Sequence, residues 1–250
     1  MGSMRMTGII ILNKQAKTFI KYIGAALLSI NLIACTGTSY VETADRMDVI
    51  TLGDSIFDLN GEIQANLENW AGETFRNYTQ SGAELSGGSL AAAVDAQYAT
   101  AKATDSAIDT IVMDGGGNDL LIPATLFDPY GCRTHWWRWN ISQSCMNLIV
   151  EQYVTLTNLL NEMDADGVNN IVYLGYYELP RGNANLGQTL KYGNDYLSYA
   201  CDTATVANCT FVDPRGTIPA NNVESDDIHP TVEGSLKLAS QIWPVLEPLL

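Results

Sequence analysis

Histidine is nearly missing: 250 residues contain only His135 and His229. Any chemistry that needs an imidazole must use one of these two. Basic side chains are also few, with 13 Lys and Arg against 28 Asp and Glu, a net charge of −15. Arg5, Lys14, Lys17 and Lys21 fall in the first 34 residues, which hold no acid, so the remainder carries 9 basic groups against 28 acidic ones. Such a chain is repelled by nucleic acid, and no basic patch argues otherwise. No C-x-x-C pair is present, so no zinc site of the usual spacing is expected. Repeats and low-complexity tracts are absent, and nothing marks a second domain at this length. Apolar residues make up 46% of the chain, enough for a sizeable core.

The longest apolar run, Tyr22 to Ala34, falls well short of the ~20 residues a spanning helix requires. Lys14, Lys17 and Lys21 precede it, which is the layout of a targeting segment over residues 14–35. Its end, Leu32-Ile33-Ala34-Cys35, resembles the lipobox of bacterial lipoproteins. That resemblance implies an acylated Cys35 as the mature N-terminus, a polar tether over 36–45 and a domain over 46–250. The location would then be the periplasm or cell surface, with membrane attachment through the lipid. An ordinary secretory signal with Cys35 incidental, hence a secreted protein, is the alternative. With Cys35 set aside, Cys132, Cys145, Cys201 and Cys209 are an even number, as export favours, and three pairings are open. The pairing local in sequence, Cys132–Cys145 and Cys201–Cys209, would close two short loops, each contributing about 2–3 kcal/mol. Buried free thiols are the other reading.

One stretch organises the rest. Val49-Ile50-Thr51-Leu52 reads as a buried strand, Gly53 as a tight turn, and Ser55 follows where a helix pattern runs from Phe57 to about Ala71. The carboxyl end of a strand feeding a helix is where reacting groups collect in α/β sheets. A serine there is a weak nucleophile until a base takes its proton and a third group orients that base. His229, in Asp226-Asp227-Ile228-His229-Pro230, is a base with carboxylates close by. His135 lies among Trp136, Trp137 and Trp139 and reads as a packing or rim residue. A rival serine, Ser89 in Gly87-Gly88-Ser89-Leu90-Ala91, mimics a nucleophile elbow but lacks the strand such an elbow needs.

Gly53-Asp54-Ser55 resembles the first block of the SGNH (GDSL-type) hydrolases, with Ile56 where leucine is usual. Asn77-Tyr78-Thr79-Gln80-Ser81-Gly82-Ala83 resembles the second block, Gly116-Gly117-Asn118-Asp119 the third, and Asp226 to His229 the last. The four occur in family order across residues 53 to 229. The resemblance implies a serine esterase or lipase working through an acyl-enzyme. Ser55, His229 and Asp226 would form the triad, and the N–H groups of Ser55 and Gly82 with the Asn118 amide an oxyanion hole. It also implies a small-molecule or lipid ester as substrate, and neither cofactor nor metal. A thioester, a lysophospholipid or an O-acetylated sugar are alternative substrates, and a surface binding module that lost the reaction is an alternative class. Asp54 reads as a cap or hydrogen-bond organiser and Asp119 as a brace.

Strand-like segments at Thr74–Tyr78, Thr110–Met113, Ile171–Leu174 and Thr210–Val212 alternate with helical patterns at Leu90–Ala103, Leu148–Met163 and Pro230–Trp243, the signature of a parallel sheet. The expected fold is therefore α/β, a three-layer α/β/α sandwich on a five-stranded parallel sheet, flavodoxin-like as in the SGNH family. Leu120 to Asn140 reads as a long loop that leaves the third strand beside Asn118. Its Trp136 and Trp137 are candidates for a wall of the substrate pocket.

Overall fold

Short β-branched and aromatic runs form the sheet, because fully buried parallel strands select such residues. The computed structural model describes residues 40–250 apart from Ser89 and Ala207. The targeting segment, Cys35, the first part of the tether and the rival Ser89 therefore lie outside the described residues. The strands are β1 (Arg46–Leu52), β2 (Phe75–Asn77), β3 (Thr110–Met113), β4 (Asn170–Leu174) and β5 (Asn208–Val212). They lie in the order β2-β1-β3-β4-β5, all parallel. Val49 pairs with Thr110 and Leu52 with Met113, so β1 and β3 end at one edge in register. That shared carboxyl edge is what places residues 53–55 beside residues 114–118.

The helices are α1 (Ser55–Asp58), α2 (Glu62–Ala71), α3 (Val94–Thr104), α4 (Gly117–Leu126), α5 (Gln143–Ala165), α6 (Gly187–Thr203) and α7 (Val232–Leu246). α2 packs on α7 and α5 packs on α6. With right-handed crossovers, steps from β3 to β5 put α5 and α6 on one face, and the reverse step from β1 to β2 puts α2 on the other. This is the expected three-layer α/β/α arrangement. Ile111, Val112, Ile171, Val172 and Leu174 fill the middle of the core.

Several boundaries differ from the sequence reading, each for a local reason. The helix expected over residues 57–71 is two pieces, because Asn60-Gly61 breaks it and Gly61 takes φ +65°. The expected loop from Leu120 is helical as far as Leu126, with Leu120, Leu121 and Ala124 buried. Pro123 disguised that helix, since proline in a helix interior normally argues against one. The last helix starts at Val232 and not at Pro230: Thr231 caps it by accepting the Gly234 N–H at 3.1 Å, and Pro230 instead bridges Val223. The helix α6 has no counterpart in the sequence reading.

Both disulfides follow the sequence-local pairing. Cys132–Cys145 spans 5.1 Å between Cα atoms and Cys201–Cys209 spans 5.3 Å. Among the described residues no helix is long and apolar enough to cross a membrane.

Candidate active site

Gly53 turns the chain after β1 with φ +149°, and a Cβ there would lie 1.9 Å from Oδ1 of Asp114. Only glycine fits this turn. Gln97, buried on α3, holds it from both sides: its Oε1 accepts the Gly53 N–H at 2.8 Å and its Nε2 donates to the Gly53 carbonyl at 2.9 Å. Asp54 then caps α1 by accepting the Ile56 N–H at 2.9 Å. Ser55 is the first helical residue, so its N–H is among those a helix leaves without an internal partner.

The hydroxyl of Ser55 lies 2.8 Å from Nε2 of His229. Nδ1 of the same ring lies 2.5 Å from Oδ2 of Asp226. The other carboxylate oxygen, Oδ1, accepts the N–H groups of Ile228 at 2.9 Å and His229 at 3.0 Å. Partial burial pushes the Asp226 carboxyl up, but the imidazole and these two N–H groups outweigh it and hold the pKa at about 2. Asp226 is thus ionised at neutral and mildly acidic pH. The neighbouring Asp227 points elsewhere: with φ +61° it turns its Oδ2 to accept the Gly182 N–H at 3.0 Å. Asp226, and not Asp227, therefore lies against the imidazole.

Gly82 occupies a turn with φ +86° that is docked against the serine turn, since the Gln80 N–H donates to the Gly53 carbonyl at 3.1 Å. Asp58 of α1 clasps the same turn through the Ser81 N–H at 2.8 Å and hydroxyl at 2.6 Å. The Gly82 N–H makes no hydrogen bond among the described residues. Asn118, at the start of α4, donates from Nδ2 to the Ala83 carbonyl at 2.9 Å, which leaves its second amide hydrogen uncommitted. Asp119 accepts the Leu85 N–H at 3.0 Å and braces this loop. Burial raises the Asp119 carboxyl to about 7.

An open cleft lies against Ser55 and Asn118, and its apolar wall includes Leu121, Leu179, Leu190 and Ile228. Trp136 and Trp137, expected as a pocket wall, are not among its lining residues. They stand on a hairpin turn and are 81% and 64% exposed. His135 stacks on Trp137 at 4.6 Å and takes no part in the site. The five site residues that the sequence blocks suggested thus meet at one edge, and the two tryptophans do not line the cleft.

Sequence reasoning missed the groups beneath the site. Asp114, fully buried, accepts the Asp54 N–H at 2.8 Å. Burial, then the charge of Asp54 beside it, pushes the Asp114 carboxyl well above the usual range. Tyr176 also reaches Asp54. Only Asp114, in the run Asp114-Gly115-Gly116-Gly117-Asn118 after β3, carried a signal of its own.

No family model and no curated protein sequence matches the chain. Solved structures do. TesA superposes with a TM-score of 0.57 at 19% identity, covering 81% of this chain and 99% of its own. A proposed SGNH hydrolase from Slackia heliotrinireducens gives 0.55 at 14% identity over 79% of this chain and 97% of its own. A catalytic mutant of Axe2, an acetylxylan esterase from Geobacillus stearothermophilus, gives 0.53 at 15% identity over 80% and 92%. The chain has the SGNH-hydrolase fold.

Proposed function

We propose that this chain of SGNH-hydrolase fold is a serine esterase that cleaves carboxylic esters through an acyl-enzyme. The observation that carries the reading is the unbroken hydrogen-bonded line from Asp226 through His229 to Ser55. Ser55 Oγ attacks the ester carbonyl carbon while Nε2 of His229 takes the hydroxyl proton, and Asp226 stabilises the imidazolium. The negative charge that develops on the carbonyl oxygen is held by the N–H groups of Ser55 and Gly82 and by Nδ2 of Asn118. One such donor is typically worth about 10²–10³ in rate. The imidazolium then protonates the leaving alkoxide, which departs as alcohol. Water, deprotonated by His229, attacks the acyl-serine, and the carboxylic acid leaves as Ser55 regains its proton.

The apolar wall of Leu121, Leu179, Leu190 and Ile228 suits an acyl chain rather than a charged group. An exported location fits the two disulfides, which persist where thiols are oxidised. Acylation of Cys35 would fix the enzyme to a membrane. The test is pre-steady-state hydrolysis of p-nitrophenyl esters from acetyl to palmitoyl. The reading predicts p-nitrophenolate release, lost in Ser55→Ala, with a burst where deacylation limits the rate. Hydrolysis that survives Ser55→Ala contradicts it.

A further inference from the structure

Three of the chain's five tryptophans sit together on the turn between the ends of the Cys132–Cys145 disulfide. Trp136 is 81% exposed, Trp137 64% and Trp139 80%. Such a cluster is costly to leave in water, and large exposed apolar patches mark interaction sites. The backbone beneath it is firmly held, so the exposure is not that of a loose loop. His135 and Arg138 exchange backbone hydrogen bonds at 2.8 and 2.9 Å. Arg138 reaches Asp128 at 3.1 Å, and the Thr134 N–H donates to Asn185 at 2.9 Å. Asp128 in turn follows Phe127, which is 79% exposed.

We propose that this tryptophan hairpin seats the domain on the surface of a lipid bilayer. Indole is the side chain most suited to the headgroup boundary, where its ring is apolar and its N–H is wet. Charge agrees. In a chain of net charge −15, no Asp or Glu occurs between Asp128 and Glu151, so the hairpin is an acid-free tip that a bilayer does not repel. Its two cations, Arg133 and Arg138, are turned inward onto the Ala124 carbonyl, Asn185 and Asp128. Ring geometry argues against a sugar platform, which needs coplanar faces: Trp136 stands at 88° to Trp137, and one face of Trp137 is covered by His135.

Position agrees as well. The hairpin is bonded to Asn185 and, through the Cys132 carbonyl, to Thr189, both in the crossover that leaves the carboxyl end of β4. This is the sheet edge that carries Ser55. Tyr40 packs on Tyr78 at the same edge, next to the pairing of Val41 with Asn77. The hairpin's own contact does not depend on the proposed acylation of Cys35.

The test uses the full chain with phosphatidylcholine vesicles whose acyl chains are brominated, reading tryptophan quenching. The wild type should be quenched. The triple variant Trp136→Ala, Trp137→Ala, Trp139→Ala should fall to the background of Trp70 and Trp243 and bind at least tenfold more weakly. It should hydrolyse a water-soluble short ester within about twofold of wild type, which shows that it folds. Trp136→Ala alone should give an intermediate loss. Cys35→Ala should keep the quenching at higher lipid, which separates this inference from the anchor. No quenching in the wild type, or equal quenching in the triple variant, overturns it. So does a hairpin-dependent dimer or retention on insoluble polysaccharide without quenching.

Discussion

The Tyr176 hydroxyl donates to Oδ2 of Asp54 at 2.7 Å, joining residues 122 positions apart in the chain. It also accepts the Gly117 N–H at 3.0 Å. One phenol therefore ties the residue before Ser55 to the residue before Asn118. Its own backbone is pinned by Asn194, which accepts the Tyr176 N–H at 2.8 Å and donates to its carbonyl at 2.6 Å. Burial, then the Asp54 and Asp114 carboxyls, push the Tyr176 hydroxyl well above its usual range, so it remains a donor.

Tyr176→Phe should lower kcat by about 10–100-fold with little change in KM, because a small misplacement of reacting groups is costly in rate. Leaving Asp54 and the Gly117 N–H without this partner should also cost about 1–3 kcal/mol of stability. Steady-state kinetics and urea unfolding on the same preparation measure both. An unchanged kcat would mean that Tyr176 only fills space.

Asp226→Asn should lower kcat on the order of 10³–10⁴, as loss of the orienting carboxylate does in triads generally. Asp227→Asn should cost far less, since that side chain serves the Gly182 N–H. Because the Asp226 pKa is lowered to about 2, its contribution to stability is present above the ordinary carboxylate value and is lost only as pH falls towards 2. Equal losses for the two variants would undo the assignment of Asp226.

Asp119 has the opposite sign. Its folded pKa is raised to about 7 by burial, so between about pH 4 and 7 the folded state binds more protons than the unfolded state. Its contribution to stability is full below that window and is lost as pH rises through it. The slope from this group is at most about 1.4 kcal/mol per pH unit. Asp119→Asn should flatten that part of the profile, read by urea unfolding at pH 4.5, 6 and 8. A slope as steep as wild type would assign the effect to Asp54 and Asp114 alone.

The site was legible where its chemistry sits in contiguous blocks. Gly53-Asp54-Ser55 and Asp226 to His229 are read within four residues, and β1 and β3 are unmistakable buried runs. The supports were not legible, because a long-range hydrogen bond leaves no local pattern. Gln97 clamps Gly53 from 44 residues away, and nothing in the alanine-rich α3 marks it. Tyr176 lies in Gly175-Tyr176-Tyr177-Glu178, an ordinary strand exit. The tryptophans were misplaced for a physical reason: α4 carries the chain away from Asn118 before the hairpin begins, so proximity in sequence to the site did not become proximity in space.

The most direct measurement of the central claim is where a fluorophosphonate lands. The reagent needs an activated hydroxyl, so it reports the serine–histidine pair without any assumption about the natural ester. Peptide mass spectrometry of the labelled full chain should find one phosphonyl adduct, on Ser55, absent from His229→Ala and retained in Ser89→Ala. An adduct on Ser89, or none on a folded protein, would contradict the account.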